Sequence, residues 1–423
     1  MFRSLAGINY RIWFVGALVS NVGTWMQRTA QDWIVLTELT HNNATAVGVT
    51  MALQFGPQIV LLPVTGWATD HFDRRKLLMG TQAAMGLLGA GLGIMTVTGV
   101  VQLWHVYVFA LLLGIVAAFD APARQTFVGE LVDKQNLSNA VALNSASFNA
   151  ARTIGPAVAG LLTAVVGAGW VFLINAITFA AVLISLQLMR RDQLNPQIRS
   201  TKRTGLIEGI RYVRHRPDIV VIFIMVFLIG TFGLNFPIFT STMASTVFGK
   251  GAGQFGVLSS IMAVGSVIGA LLSARREKPR VSLLFAGALM FGVGCFIAAI
   301  MPNFWLFGAA LAIIGLFSQT LMTTANGTVQ LAADPAVRGR VMALYMAIFM
   351  GGTPIGAPIV GWVADAMGPR WGLGVGAASG IVAGGVGVYY LVRYRGLRLR
   401  VLRGRPAFIM EEPEAARPEV AAA

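Results

Sequence analysis

Of the 423 residues, 56% are hydrophobic and only 12% are charged, and the mean hydropathy is +0.70. Soluble domains carry about a quarter charged residues, so most of this surface cannot face water and a soluble enzyme or binding module is excluded. The net charge of +15 and pI near 11.0 would suit a nucleic-acid binder, but the basic residues sit in short clusters between apolar runs.

Those runs set the elements. Each is about twenty residues, long enough to cross a bilayer core of roughly 30 Å. The first six are predicted at 10–36, 45–69, 77–99, 102–122, 137–165 and 168–189. Six more follow at 218–242, 253–274, 281–301, 303–325, 338–365 and 371–393. None alternates with period 2, so they read as helices and not as barrel strands. The start resembles a signal peptide through Arg3 and Arg11, but no small-residue cleavage site closes its core. The run continues to Leu36 and is predicted to be a retained first span.

Span 1 carries Asn21, Thr24, Arg28 and Gln31 at steps of three, four and three, with Gln27 and Asp32 beside them. Ser145, Asn149 and Arg152 make a second stripe in span 5. Thr231 and Asn235 mark span 7, and Gln319, Thr323 and Asn326 mark span 10. Buried amides and hydroxyls often serve helix–helix hydrogen bonds worth about a kcal/mol or less, so these positions fit packing as well as a cavity lining. Charges are different, because an intramembrane ionisable group usually faces a cavity and has a partner. Arg28, Asp32 and Arg152 are therefore the candidate substrate and proton-coupling residues. Arg28 and Asp32 are four apart and can meet on one helix face. Either an anionic substrate captures Arg28 and frees Asp32 to take a proton, or the pair is permanent and only orients the helix.

Between spans 2 and 3 stands "GWATDHFDRRK". Gly66 permits close helix approach, Asp70 ends the helix, and Arg74 and Arg75 anchor the turn. In span 5, Gly155, Pro156 and Gly160 weaken or bend the helix and let neighbours approach. The single cysteine, Cys295, lies within a span and cannot form an intramolecular disulfide. The four histidines are scattered, no H-E-x-x-H or cysteine pair is present, and Gly249-Lys250 is followed by Gly251 and not by Ser or Thr. Neither a metal centre nor a nucleotide-binding loop is expected, and no cofactor is implied.

Lys250 and Arg370 fall on one side of the twelve-span layout, and Arg28 and Arg152 lie within spans. The rest of the 32 Lys and Arg fall on the other side. That asymmetry predicts both termini and every basic loop to be cytoplasmic. The basic tail is expected to meet anionic lipid heads, with no nucleic-acid partner.

The widest connection divides the chain into a six-helix half over 1–190, a linker over 191–217, a second half over 218–395, and a tail over 396–423 that is basic and then unstructured. Within the linker, Leu206, Ile210 and Val213 share one helical face, which suggests a helix lying along the inner leaflet. A shift of 201 positions aligns Asp133, Ala142, Leu143, Phe148, Gly155, Gly160, Gly167 and Trp170 with Asp334, Ala343, Leu344, Phe349, Gly356, Gly361, Gly368 and Trp371. Two repeats with a site between them is an architecture of secondary transporters.

The loop after span 2 resembles the signature G-x-x-x-D-R-x-G-R-R/K of the major facilitator superfamily. It matches at Gly66, Asp70, Arg74 and Arg75 and departs at His71 and Asp73, the latter standing where Gly is usual. The resemblance implies an all-α membrane protein with two pseudo-symmetric six-helix halves. It also implies a conformational latch in which Asp70 faces the start of helix 11 near Val337–Val341, and Arg74 pairs with an acid on helix 4, where Asp120 stands. Gly155, Pro156 and Gly160 resemble the exporter-associated G-P-x-x-G-G motif, with Ala159 replacing one Gly. "FDAPARQTFVGELV", "NLSNAVALNSASFNAARTIGPA" and "LIEGIRYVRHRP" are similar to the branch holding the enterobactin exporter and related macrolide and drug exporters. That likeness covers roughly 9–395. It implies a plasma-membrane, proton-coupled exporter of a small solute acting as a monomer. A lipid flippase and a non-transporting sensor on the same fold are the alternatives.

Overall fold

Lipid leaves the backbone amides of an apolar run no partners but one another, and every run predicted above is helical in the computed structural model of the protein. The structure describes residues 3–133, 135–194, 206–276, 281–335, 337–395, 397–402 and 405–410. Its helices in chain order are α1 (Ile8–Ile34), α2 (Ala44–Val60), α3 (Leu62–His71), α4 (Arg74–Val97), α5 (Leu103–Phe127), α6 (Leu137–Val166) and α7 (Ala168–Leu188). After the linker come α8 (Leu206–Arg214), α9 (Pro217–Leu228), α10 (Phe236–Thr242), α11 (Ala252–Ala274), α12 (Val281–Ile300), α13 (Phe304–Ala332), α14 (Arg338–Gly351), α15 (Thr353–Met367) and α16 (Pro369–Arg395).

Among the described residues, ten helical segments are long and apolar enough to cross a membrane, and the bent pair α2–α3 makes an eleventh. The twelfth span is α1. Its 27 residues reach about 40 Å at 1.5 Å per residue, but Asn21, Gln27, Arg28, Gln31 and Asp32 dilute its hydropathy. Its place in the bundle is fixed by packing against α6 and α7.

Three predicted spans are broken. Span 2 bends by 57° between α2 and α3, where Pro63 stands in the first turn of α3 and its missing N–H and ring favour a break. Span 7 runs as α9, a π-turn over Ile229–Gly233, and α10. Gly230 and Gly233 loosen the turn, and Pro237 allows the helix to restart but not to continue unbroken. Span 11 divides at Gly352, with Pro354 opening α15.

The half formed by α1–α7 and the half formed by α9–α16 carry the repeat in their backbones. Gly167 and Gly368, 201 positions apart, both take positive φ, 85° and 102°, with ψ of 158° and 156°. Each ends a span at an equivalent point, in a conformation that favours glycine.

Across the halves, α2 packs on α15 and α6 on α11. A Cβ on Gly48 would collide with the Ala357 carbonyl, one on Gly361 with that of Ala44, and one on Gly160 with Gly256. These contacts lie toward the end of the bundle that holds the loops after α1, α4 and α12, here termed the far end. At the opposite, basic end, α3 turns away and packs on α5 of its own half.

The linker helix α8 is docked on protein. Val213 is buried while Ile210 is exposed, Glu208 pairs with Arg340 of α14, and the Asp334 amide donates to the Tyr212 hydroxyl at 3.1 Å. The helix expected in the linker is present, and these contacts hold it against the start of span 11. Beyond α16, Leu397–Leu402 pairs antiparallel with Arg405–Met410. Alternation of Leu and Arg over 397–400 suits a strand, within the stretch expected to be a basic and then unstructured tail. Residues 411–423, like 195–205 of the linker, lie outside the described residues.

Candidate functional site

The loop after span 2 is built around α4. Asp73 takes φ −63° and ψ 117° and its side chain accepts the Lys76 amide at 3.0 Å. It is an ordinary N-cap, so the left-handed backbone expected where Gly is usual is not used. The Arg75 guanidinium donates through Nε and Nη2 to the Leu186 carbonyl at 2.8 and 2.5 Å, tying α4 to the end of α7. Arg74 reaches Glu130 at 2.7 Å, in the short turn that follows α5.

That last contact corrects the expected Arg74–Asp120 pair. Asp120 is taken by Arg124 one turn along the same helix, through Nε at 3.1 Å and Nη2 at 2.8 Å. Its other oxygen accepts from Thr81 at 2.8 Å and Gln82 at 2.6 Å. Arg124 Nη1 then donates to Asn21 at 2.8 Å. This buried network locks α1, α4 and α5 together, and the i,i+4 spacing of Asp120 and Arg124 was its only sequence signal. Gly66 faces open space, with nothing near a built Cβ, so the close approach expected there is not made. The Asp70 backbone lies in the last turn of α3, while its side chain lies outside the described residues.

The polar stripes divide into two kinds. Asn21 is buried on Arg124, Gln31 donates to the Val106 carbonyl at 3.3 Å, and Asn235 donates to the Thr231 carbonyl at 2.7 Å where span 7 breaks. These serve helix packing. Thr24 and Asn149 bond only to their own helices, at Ser20 and Ser145. Gln319 reaches Thr323 at 3.3 Å on an exposed face of α13. In α6, a Cβ on Gly155 would meet Trp25 of α1, and the helix runs unbroken through Pro156. Gly155 and Gly160 thus seat α6 between α1 and α11.

The three intramembrane charges are not paired as expected. No hydrogen bond or ion pair to Arg28 or Arg152 is present among the described residues. Arg28 instead lies over the rings of Phe55 and Trp25, 4.6 and 5.2 Å from their centroids. Arg152 lies over Phe349 of the other half at 6.0 Å. Asp32 is 4% exposed, and its Oδ1 has no partner. Arg28 thus keeps to aromatic faces and makes no ion pair with Asp32, its neighbour one turn along α1, while Arg152 reaches a ring of the other half.

At the far end the halves are clasped by a residue the sequence reading did not select. Asp365, at the end of α15, accepts the Ala44 and Thr45 amides at 2.7 and 2.8 Å and the Thr45 hydroxyl at 2.5 Å. It caps α2 from across the interface.

The fold is shared with solved transporters. The chain superposes on a D-xylose–proton symporter with TM-score 0.70 at 13% identity, covering 91% of this chain and 97% of that one. It superposes on a bacterial homologue of the lysosomal transporter Spinster, in an inward-facing and occupied conformation, with TM-score 0.68 at 14% identity, covering 90% and 96%. The family model described as transmembrane secretion effector matches residues 2–400. The chain belongs to that family, within the major facilitator superfamily, and is a multi-pass membrane transporter. Among curated relatives, it is 28% identical to the staphyloferrin A transporter of Staphylococcus aureus, over 85% of this chain and 90% of that protein. It is 26% identical to the multidrug efflux pump Tap of Mycolicibacterium fortuitum, over 83% and 88%. Identity to the enterobactin exporter of Escherichia coli is also 26%, over 85% and 86%.

Proposed function

We propose that the chain exports a small organic solute from the cytoplasm across the plasma membrane by alternating access, in exchange for protons. The observation that carries the reading is the set of intramembrane charges, Arg28, Asp32 and Arg152, without ion pairs among the described residues, in a transporter whose relatives include an enterobactin exporter and a multidrug efflux pump. Burying an ionised carboxylate without a partner is costly, so Asp32 needs either a hydrogen-bond donor or a proton. Exchange requires solute and proton to exclude one another: solute that donates a hydrogen bond to the ionised Asp32, with Arg28 holding its other end, leaves the proton no place. A proton taken up by Asp32 from the outer side removes that acceptor and releases the solute, and this negative coupling is reciprocal.

Transport into energised proteoliposomes tests this against gradient-free exchange. Asp32→Asn should abolish proton-driven accumulation while sparing solute–solute exchange, whereas Arg28→Ala should damage both. Near wild-type pumping by Asp32→Asn would remove Asp32 as the proton carrier.

The basic end faces the cytoplasm in this reading, as the distribution of Lys and Arg supports. Reporter fusions after Arg190 should be active only as cytoplasmic reporters, and fusions after Lys250 only as external ones. A reversed pair would turn the exporter reading into one of uptake.

A further inference from the structure

Inside the first half, a small cavity is lined by Thr24, Gln27 and Arg28 of α1, Gln54 of α2 and Asn175 of α7, closed off by Phe179 and the helix α5. Its volume of about 20 Å³ admits roughly one water-sized group, which is a head-group niche and not a site for a whole solute. Thr24 and Arg28 are its partly exposed members, and Gln27 and Gln54, each 2% exposed, are its floor.

The polar atoms of that floor are oriented but unused. Asn175 Nδ2 donates to Gln27 Oε1 at 2.6 Å, and the Thr178 hydroxyl lies 2.8 Å from the Asn175 carbonyl and 2.9 Å from Asn175 Oδ1. The direction of this chain leaves Gln27 Nε2 as a buried donor with no acceptor. Gln54 makes no side-chain hydrogen bond at all, with both Nε2 and Oε1 buried and unpartnered. Buried amides are rarely left so, and each unpaired one costs about 1–3 kcal/mol. Space for this arrangement is kept open by glycines. A Cβ on Gly23 would strike the Asn175 and Thr178 side chains, and one on Gly89 would press on Gln27 Oε1.

We infer that this niche is a carboxylate-binding subsite, and that the solute carried is an organic acid whose carboxylate docks there. The proposal rests on the exporter reading and names the chemistry of its cargo. A carboxylate offers only acceptors, and among the described residues the niche offers donors without an acceptor, the Arg28 fork, Gln27 Nε2 and Gln54 Nε2, with Gln54 Oε1 an unpartnered acceptor beside them. No acid side chain lines it. Met85, Leu113 and Phe179 complete the lining with apolar surface.

Equilibrium dialysis of the purified full chain in detergent, with radiolabelled benzoate and benzamide as probes, tests the assignment. The two probes have nearly the same shape and differ in charge. Benzoate should bind saturably and at least about tenfold more tightly than benzamide, since hydrogen bonds to a charged group are the stronger kind. Gln27→Leu and Gln54→Leu should each weaken benzoate about tenfold and benzamide by less, because its carbonyl accepts from the same donors without a charge. Gln54→Glu, nearly isosteric, should abolish benzoate binding by like-charge repulsion while the variant keeps the wild-type gel-filtration profile. Equal affinity for the two probes, no saturable benzoate binding, or benzoate binding indifferent to Gln54→Glu would each overturn the proposal. Export of uncharged solutes from proteoliposomes that bind no benzoate would leave the exporter reading standing without the niche. Benzoate binding without export of any organic acid would keep the niche and remove the exporter reading.

Discussion

Asp120→Ala should destabilise the protein by about 3–5 kcal/mol, the cost of leaving a buried charge without its partner. Arg124 is 9% exposed. With Asp120 gone it keeps only the Asn21 oxygen and the face of Trp13, 5.8 Å from the ring centroid. The reciprocal change, Arg124→Leu, should cost distinctly less, because Asp120 retains Thr81 and Gln82 as donors. Joining the two as Asp120→Leu with Arg124→Leu should recover most of the loss, since apolar replacement of a whole buried pair is often neutral. Thermal unfolding in detergent reads all three. Equal losses for the two single variants, or no recovery in the double, would mean that the network is not what binds α1, α4 and α5.

That asymmetry shows where reading the sequence succeeds and where it stops. Twelve spans, the 6+6 division and the Gly167/Gly368 equivalence follow from hydropathy and an ungapped repeat, because lipid imposes one backbone solution on each apolar run. Breaks within runs were not foreseen. Pro63, Gly233 and Gly352 are visible in the sequence, but a small residue or proline in a span is also compatible with an unbroken helix, as Pro156 shows in α6. Partner choice was least legible. Arg74 takes Glu130 and Asp120 takes Arg124, although the four side chains lie within a few turns and several pairings satisfy charge. Arg28 and Asp32 stand at ideal helical spacing and do not pair, because Trp25 and Phe55 compete for the guanidinium, and Phe55 comes from another helix. Gln54 and Asp365 carried no local signal at all. Their roles arise from contacts with helices distant in sequence.

Asp365→Ala should unlock the far end and shift the protein toward a state open on that side. In the structure its carboxylate receives two backbone amides and a hydroxyl from Ala44 and Thr45. Hydrogen bonds to charged groups contribute about 1.5–3 kcal/mol each, and a carboxylate at a helix N-terminus adds about 0.3–1 kcal/mol. All of these cross the interface between the halves, so all must break when the far end opens. The equivalent contact of α6 with α11 carries no charge, only the close approach of Gly160 to Gly256. One side of the closure is thus held by shape and the other by a removable acid. Asp365 is exposed, so water replaces most of what is lost and a net shift of about 1 kcal/mol is expected, or roughly fivefold in the ratio of the two states. Asn43 stays as the local cap, accepting the Ala46 amide at 2.9 Å, so α2 itself should remain folded. Spin labels at Val100 and Pro302, in far-end loops of opposite halves, report the opening in a Cys295→Ser background. Their separation should lengthen in Asp365→Ala and stay near wild type in Asp365→Glu, which keeps the charge. Transport should fall in Asp365→Ala, because a far end that seldom closes leaves the basic-end state rarely occupied and slows the cycle at loading. An unchanged distance distribution would show that glycine packing alone closes the far end.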